Sequence, residues 1–289
     1  MTAPLRNFDE YQPVDPIQTM TPATVREHID GVAAFLGGAA NVVMQLSLRP
    51  VAYGVMESDV DSGKVTLRPA KRLRTTLTYI AVALLGNDDD RSAYREAVNT
   101  SHRTVHTKPG SPVKYNAFDP KLQLWVAACL YWGIDDLIHR MRGPMDPVTA
   151  EALYRYSARL GTTLQMREEM WPATRDDFYA YWETNLATKS IDERTRVYFN
   201  DLTDLKMLAW PLRFAFGGVH RFIVTALLPP HLRAEMSMSW SARDERLFAG
   251  LLRLISAVWT RLPGPLRLFP YNFYLYDMRL RRRFGRPLV

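Results

Sequence analysis

The segment NTSHRTVH sets His102 and His106 four residues apart in a chain that has only six histidines. On a helix this spacing brings two imidazoles to one face, the arrangement of a metal-binding pair. The zinc-protease version needs a glutamate straight after the first histidine, and Arg103 stands there instead. The Glu-x-x-His pattern of a di-iron cluster is also missing, and Arg103 and Lys108 add charge that opposes a divalent ion. A haem site asks for less. It needs one neutral imidazole on an apolar cavity wall, and cations for the propionates. A core histidine with satisfied hydrogen bonds is the plainest alternative, and residue types alone leave these readings open.

The elements that must position these groups read as helices. Asparagine and aspartates in NDDD start a helix through a cap at Asp89 or Asp90, and Tyr94, Val98, His102 and Val105 then fall on one face. His102 is therefore expected to point inward, with His106 close to the same face. Ahead of it, RPAKRLRTTLTYIAVALLGN carries Lys71, Arg72, Arg74 and Thr75 into an apolar run that stops at Gly86. Behind it, Asp119-Pro120 opens a helix that is apolar nearly all round, containing LWVAACLYWG and ending at Gly143. Thr21 or Thr24 is expected to cap a helix through REHIDGVAAFL. Thr174 with Asp177 and Ser241 with Asp244 spell two capping boxes. Alternating strand patterns and hairpin turns are absent. The expected fold is a single all-α bundle over residues 21–289, preceded by an extended arm over residues 1–20.

Composition narrows the function further. Hydrophobic residues make up 47% and charged residues 23%, enough for a substantial core. The net charge of +7 comes from arginines scattered along the chain, with one dense run, RLRRRFGRP, that lacks a base-reading motif. Solubility or peripheral contact with an anionic surface accounts for it better than nucleic acid. The lone Cys129 cannot form an internal disulfide, no stretch reaches membrane-spanning length, and no export signal is visible at the N-terminus. These features suit a cytoplasmic protein. No nucleotide-binding glycine loop or serine nucleophile elbow occurs.

Several stretches in order resemble one family. GGAANVVMQLSLRPVAYGVMES, KRLRTTLTYIAVALLGN, AVNTSHRTVH and YNAFDPKLQLWVAACL are similar to successive segments of the DUF2236 group. TALLPPHLRAEMSMSWSARDERLF and LPGPLRLFPYNFYLYDMRLRRR resemble its closing segments. That group contains the latex-clearing rubber oxygenases and the fungal mycophenolic-acid-pathway oxygenase. The resemblance implies a helical bundle enclosing a b-type haem, with His102 as the iron ligand. It also implies use of O2 on an apolar, unsaturated, isoprenoid-like small molecule. Lys71, Arg74 and Thr75 would form the polar cluster on the oxygen side, with Arg72 and His106 near the cofactor. Where rubber oxygenases have Arg-x-x-Lys-Thr, this chain has Lys71-x-x-Arg74-Thr75, and Arg49 precedes Pro50 where many members have histidine. A haem-binding protein without turnover and a haem-free lipid-binding bundle stand as the alternatives.

Overall fold

The computed structural model describes residues 20–60 and 67–289, so the expected arm lies outside the described residues except for Met20. All regular elements among them are helical, as the sequence pattern requires. A 3-10 turn, Thr24–Glu27, leads to α1 (Val32–Leu46) and α2 (Arg49–Met56), which meet at 108°. Then come α3 (Pro69–Leu85), α4 (Asp88–His102), α5 (Pro120–Arg142), α6 (Pro147–Tyr156) and the short α7 (Arg159–Thr162). The chain continues through α8 (Arg175–Ala187), α9 (Glu193–Thr203), α10 (Trp210–Leu227) and α11 (Pro230–Glu235). It closes with α12 (Ala242–Trp259), α13 (Gly264–Arg267) and α14 (Tyr271–Arg283).

The helix starts follow local chemistry. Asp119 and Asp146 each accept a backbone N–H, at 2.8 and 2.9 Å, and each is followed by proline at the first helical position. Thr174 with Asp177 and Ser241 with Asp244 form complete capping boxes. At α4 the cap is Asn87, whose side chain accepts from Asp90 N–H at 2.8 Å, and Asp90 returns the bond. Asp90 is thus the third helical residue of the box rather than the cap.

The expected helix through REHIDGVAAFL is broken. Thr21 Oγ1 accepts from the N–H of Ala23 and of Thr24, but only the 3-10 turn forms before α1 begins at Val32. The break lies at Asp30-Gly31, where the chain is fastened to its distant C-terminal part. Gly31 N–H donates to the Arg267 carbonyl at 2.8 Å, and Asp30 accepts both arms of Arg142, at 2.7 and 2.5 Å. A Cβ at position 31 would lie 1.8 Å from the Phe269 carbonyl oxygen. Gly31→Ala is therefore expected to destabilise by about 3 kcal/mol, the upper end for overpacking against rigid backbone. A lower urea midpoint at unchanged slope would show it; an unchanged midpoint would mean that the approach is not close.

α5 is the central post. Its Trp125 indole donates to the carbonyls of Met44 and Gln45 at 3.2 Å, fixing α1, while Asn41 of α1 donates to the Cys129 carbonyl at 2.6 Å. Tyr131, Tyr154, Trp171, Phe178 and Trp182 pack ring on ring behind it. Buried residues from Val25 to Met278 belong to one hydrophobic cluster. No single helix among the described residues is long and apolar enough to cross a membrane, although α1 and α2 together pass by length and composition.

Candidate functional site

α3 and α4 pack side by side, and the groove between them opens into a cavity of about 260 Å³. That is close to the lower end, roughly 300 Å³, of ordinary small-molecule sites. On α3 the cavity face is Arg72, Thr75, Thr76 and Tyr79, one helical stripe. On α4 it is Tyr94, Val98, Ser101 and His102, followed by Val105 from the next turn. α1 and α2 add Leu46, Pro50, Val51, Gly54 and Val55; α5 adds Leu122, Gln123, Val126 and Leu130. The wall is mostly aliphatic. A Cβ at Gly54 would already touch the Tyr115 ring at 3.4 Å, so this position keeps α2 close to the cavity floor.

Phenols tie the frame together. Tyr94 donates to the Thr75 carbonyl at 2.8 Å, linking α4 to α3, and Tyr79 donates to the Leu160 carbonyl at 2.5 Å, linking α3 to α7. Each such bond contributes about 1 kcal/mol net. Gln123 donates to the Ala117 carbonyl at 2.8 Å and to Gln165 at 2.6 Å, closing one end with a satisfied amide pair. Tyr115 donates to Glu57 at 3.0 Å.

His102 differs from the other inward histidines. His220 Nδ1 meets the Thr203 carbonyl, and His231 Nε2 meets the Lys189 carbonyl, both at 2.7 Å. The Nδ1 of His102 is buried with no hydrogen-bond partner. Its ring has instead the edge of Phe118, centroid to centroid 6.3 Å. An unpartnered buried polar atom costs about 1–3 kcal/mol. Burial, and then the nearby Arg72 cation, push the His102 pKa down to about 4. The imidazole is therefore neutral near pH 7 and keeps a lone pair for a ligand. No carbonyl or carboxylate among the described residues orients the ring through Nδ1.

Arg72 is the second unusual group. Its guanidinium is enclosed, and burial lowers its pKa, opposed by the phenols of Tyr198 and Tyr94. No carboxylate pairs with it among the described residues. An arginine stays charged even so, which places a desolvated cation at the cavity.

The structure separates the remaining candidates. Thr75 faces the cavity, its hydroxyl donating to the Arg72 carbonyl at 3.0 Å. Arg74 lies round the helix from Arg72, 3.8 Å from Asp277 on α14, and Lys71 is partly exposed; neither lines the cavity. His106 does not share a helical face with His102, because α4 ends at His102. His106 is exposed in a bridge to Asn116, and no cluster of three or more His, Cys, Asp or Glu suited to a metal ion occurs among the described residues. Arg49 pairs with Asp192 at 3.3 Å, leaving Pro50 and Val51 at the wall. The aromatics of α5 pack in the core; its cavity face is Leu122, Gln123, Val126 and Leu130. Thr76, Tyr79 and Tyr115 were not anticipated, though the i, i+4, i+7 spacing of Arg72, Thr76 and Tyr79 carried the first two.

Residues 25–257 match the family described as ER-bound oxygenase mpaB/B'/Rubber oxygenase, catalytic domain. The chain belongs to this family. The oxygenase-domain match takes in α1 to α5 and ends within α12, so α13 and α14 lie beyond it. Uncharacterised proteins of Mycobacterium tuberculosis and Mycobacterium bovis are each 46% identical over 251 residues, covering 87% of this chain and 98% of theirs. No solved structure matches. Within this oxygenase domain, membership supports a substrate and O2, and a metal or haem cofactor, at that coarse level.

Proposed function

We propose that this chain is a haem b-dependent oxygenase acting with O2 on an apolar, unsaturated small molecule of isoprenoid type. The observation that carries the reading is His102: neutral, unpartnered at a buried nitrogen, and set in an apolar cavity wall. Haem, when bound, supplies the dioxygen chemistry. His102 is the residue that would hold its iron, and the orphaned lone pair is the donor such a site requires. Arg72 would neutralise a propionate, an anion that no carboxylate among the described residues supplies.

The polar cluster on α3 then consists of Arg72, Thr75 and Thr76. Lys71 and Arg74 sit behind it: Arg74, held by Asp277, adds positive potential rather than a contact. Leu46, Val51, Val55, Val98, Val126 and Leu130 bind the apolar chain of the substrate and exclude water. Ser101, Asn116 and Gln123 are the sparse polar groups that would orient it.

The test is an absorption spectrum of the full chain expressed with a haem precursor, followed by oxygen uptake with added olefins. A Soret band and olefin-dependent uptake are expected. A colourless protein whose spectrum and hemin titration show no binding would overturn the reading; a Soret band without uptake on any olefin would reduce it to a haem carrier.

A further inference from the structure

α10 opens with WPLRFAFGGV, in which Arg213 is the one charge. A helix end that is apolar all round belongs inside a protein. Here every residue from Ala209 to Phe216 is exposed, Phe214 at 86% and Trp210 at 72%. α12 lies beside α10, joined through Phe222, Trp240 and Phe248, whose ring centroids are 5.2 and 6.2 Å from Phe222.

α12 carries two apolar stripes. Phe248 and Leu252 face the core, whereas Leu247, Leu254 and Val258 are exposed. At roughly 100° per residue the second stripe lies about a third of a turn from the first. The remaining face carries Arg243, Arg246 and Arg253, with Arg261 just past the helix end, all exposed. Among the described residues Arg246 and Arg253 bond only to carbonyls of their own helix, at 3.2 and 3.3 Å. The acids of the first turn are engaged: Asp244 caps with Ser241, and Glu245 takes Arg140 and the Trp240 indole.

We propose that the first two turns of α10 and the outer stripe of α12 form a docking surface for an anionic lipid bilayer. Exposed tryptophan, phenylalanine and leucine beside arginines that no acid pairs among the described residues is the composition of a surface that sinks into a headgroup layer. Charge selects the occupant. Arg213, Arg243, Arg246, Arg253 and Arg261 complement lipid phosphates, whereas two-fold pairing with a second copy would set the same charges against themselves.

The test is co-sedimentation of the full chain with vesicles of phosphatidylcholine alone and of phosphatidylcholine with phosphatidylglycerol. Binding to the anionic vesicles only, weakening with salt, is expected. Two double variants at exposed positions, Trp210→Asp with Phe214→Asp and Arg246→Glu with Arg253→Glu, should keep the wild-type helical content and release the vesicles. Each arginine lost is expected to weaken binding about fivefold. Absence of wild-type binding, equal binding to both vesicle types, or undiminished binding by either variant would overturn the proposal. So would a dimer in light scattering that the Trp210/Phe214 variant dissolves, which would assign the surface to a second copy.

Discussion

His102→Ala is expected to give a colourless protein under conditions in which the parent chain carries haem. Loss of a residue that merely orients a metal ligand costs about 10–100-fold in affinity, so loss of the ligand itself should exceed the upper figure. The same variant has a readout in the haem-free protein. With a pKa of about 4 when folded and an ordinary value near 6.5 when unfolded, His102 takes up its proton first in the unfolded chain. Its contribution is thus fully present above about pH 6.5 and is lost as pH falls towards 4, amounting to roughly 3 kcal/mol. Urea titrations across that window should show the parent chain losing stability more steeply than His102→Ala. Parallel pH profiles would mean that the imidazole is solvated, and unchanged Soret intensity would remove it as the ligand.

Arg72→Met is expected to move stability and cofactor retention in opposite directions. The guanidinium is desolvated with no carboxylate partner among the described residues, so an apolar side chain of similar length should stabilise the haem-free protein by about 2 kcal/mol. For a chain of 289 residues that is a rise of about 3 °C in melting temperature. Haem retention should weaken about 10–100-fold, the value of charge-assisted hydrogen bonds to a propionate. Arg72→Lys keeps the charge but loses the planar fork, and should fall between the two. A less stable haem-free Arg72→Met protein with undiminished haem affinity would show that the guanidinium is a structural group.

What the sequence disclosed is what local chemistry decides. The boxes at Thr174/Asp177 and Ser241/Asp244, and the Asp-Pro starts at 119 and 146, each involve neighbours within three residues. The inward direction of His102 followed from its spacing to Tyr94 and Val98, and all three line the cavity. The end of α4 was not legible, because neither proline nor glycine marks it. It is set by partners further along, Thr107 N–H on the Tyr115 carbonyl and the bridge from His106 to Asn116. Nor could a sequence say which arginine of KRLRTT meets the cavity. Arg74 is claimed by Asp277, about two hundred residues away. The break at Gly31 likewise depends on Arg267 and Phe269.

The helix at the far end of the chain has a practical bearing on how this oxygenase domain is handled. α14 lies along α3, with Asp277 against Arg74 and Arg279 clamped on the buried Asp90 at 2.6 Å, yet it falls outside residues 25–257, the stretch that matches the family. Trimming a gene to that stretch would strip the buttress from the very rod that presents Arg72. The fragment would bare the face of α3 that α14 now covers, and clumping in the test tube would then report on the cut rather than on the intact chain.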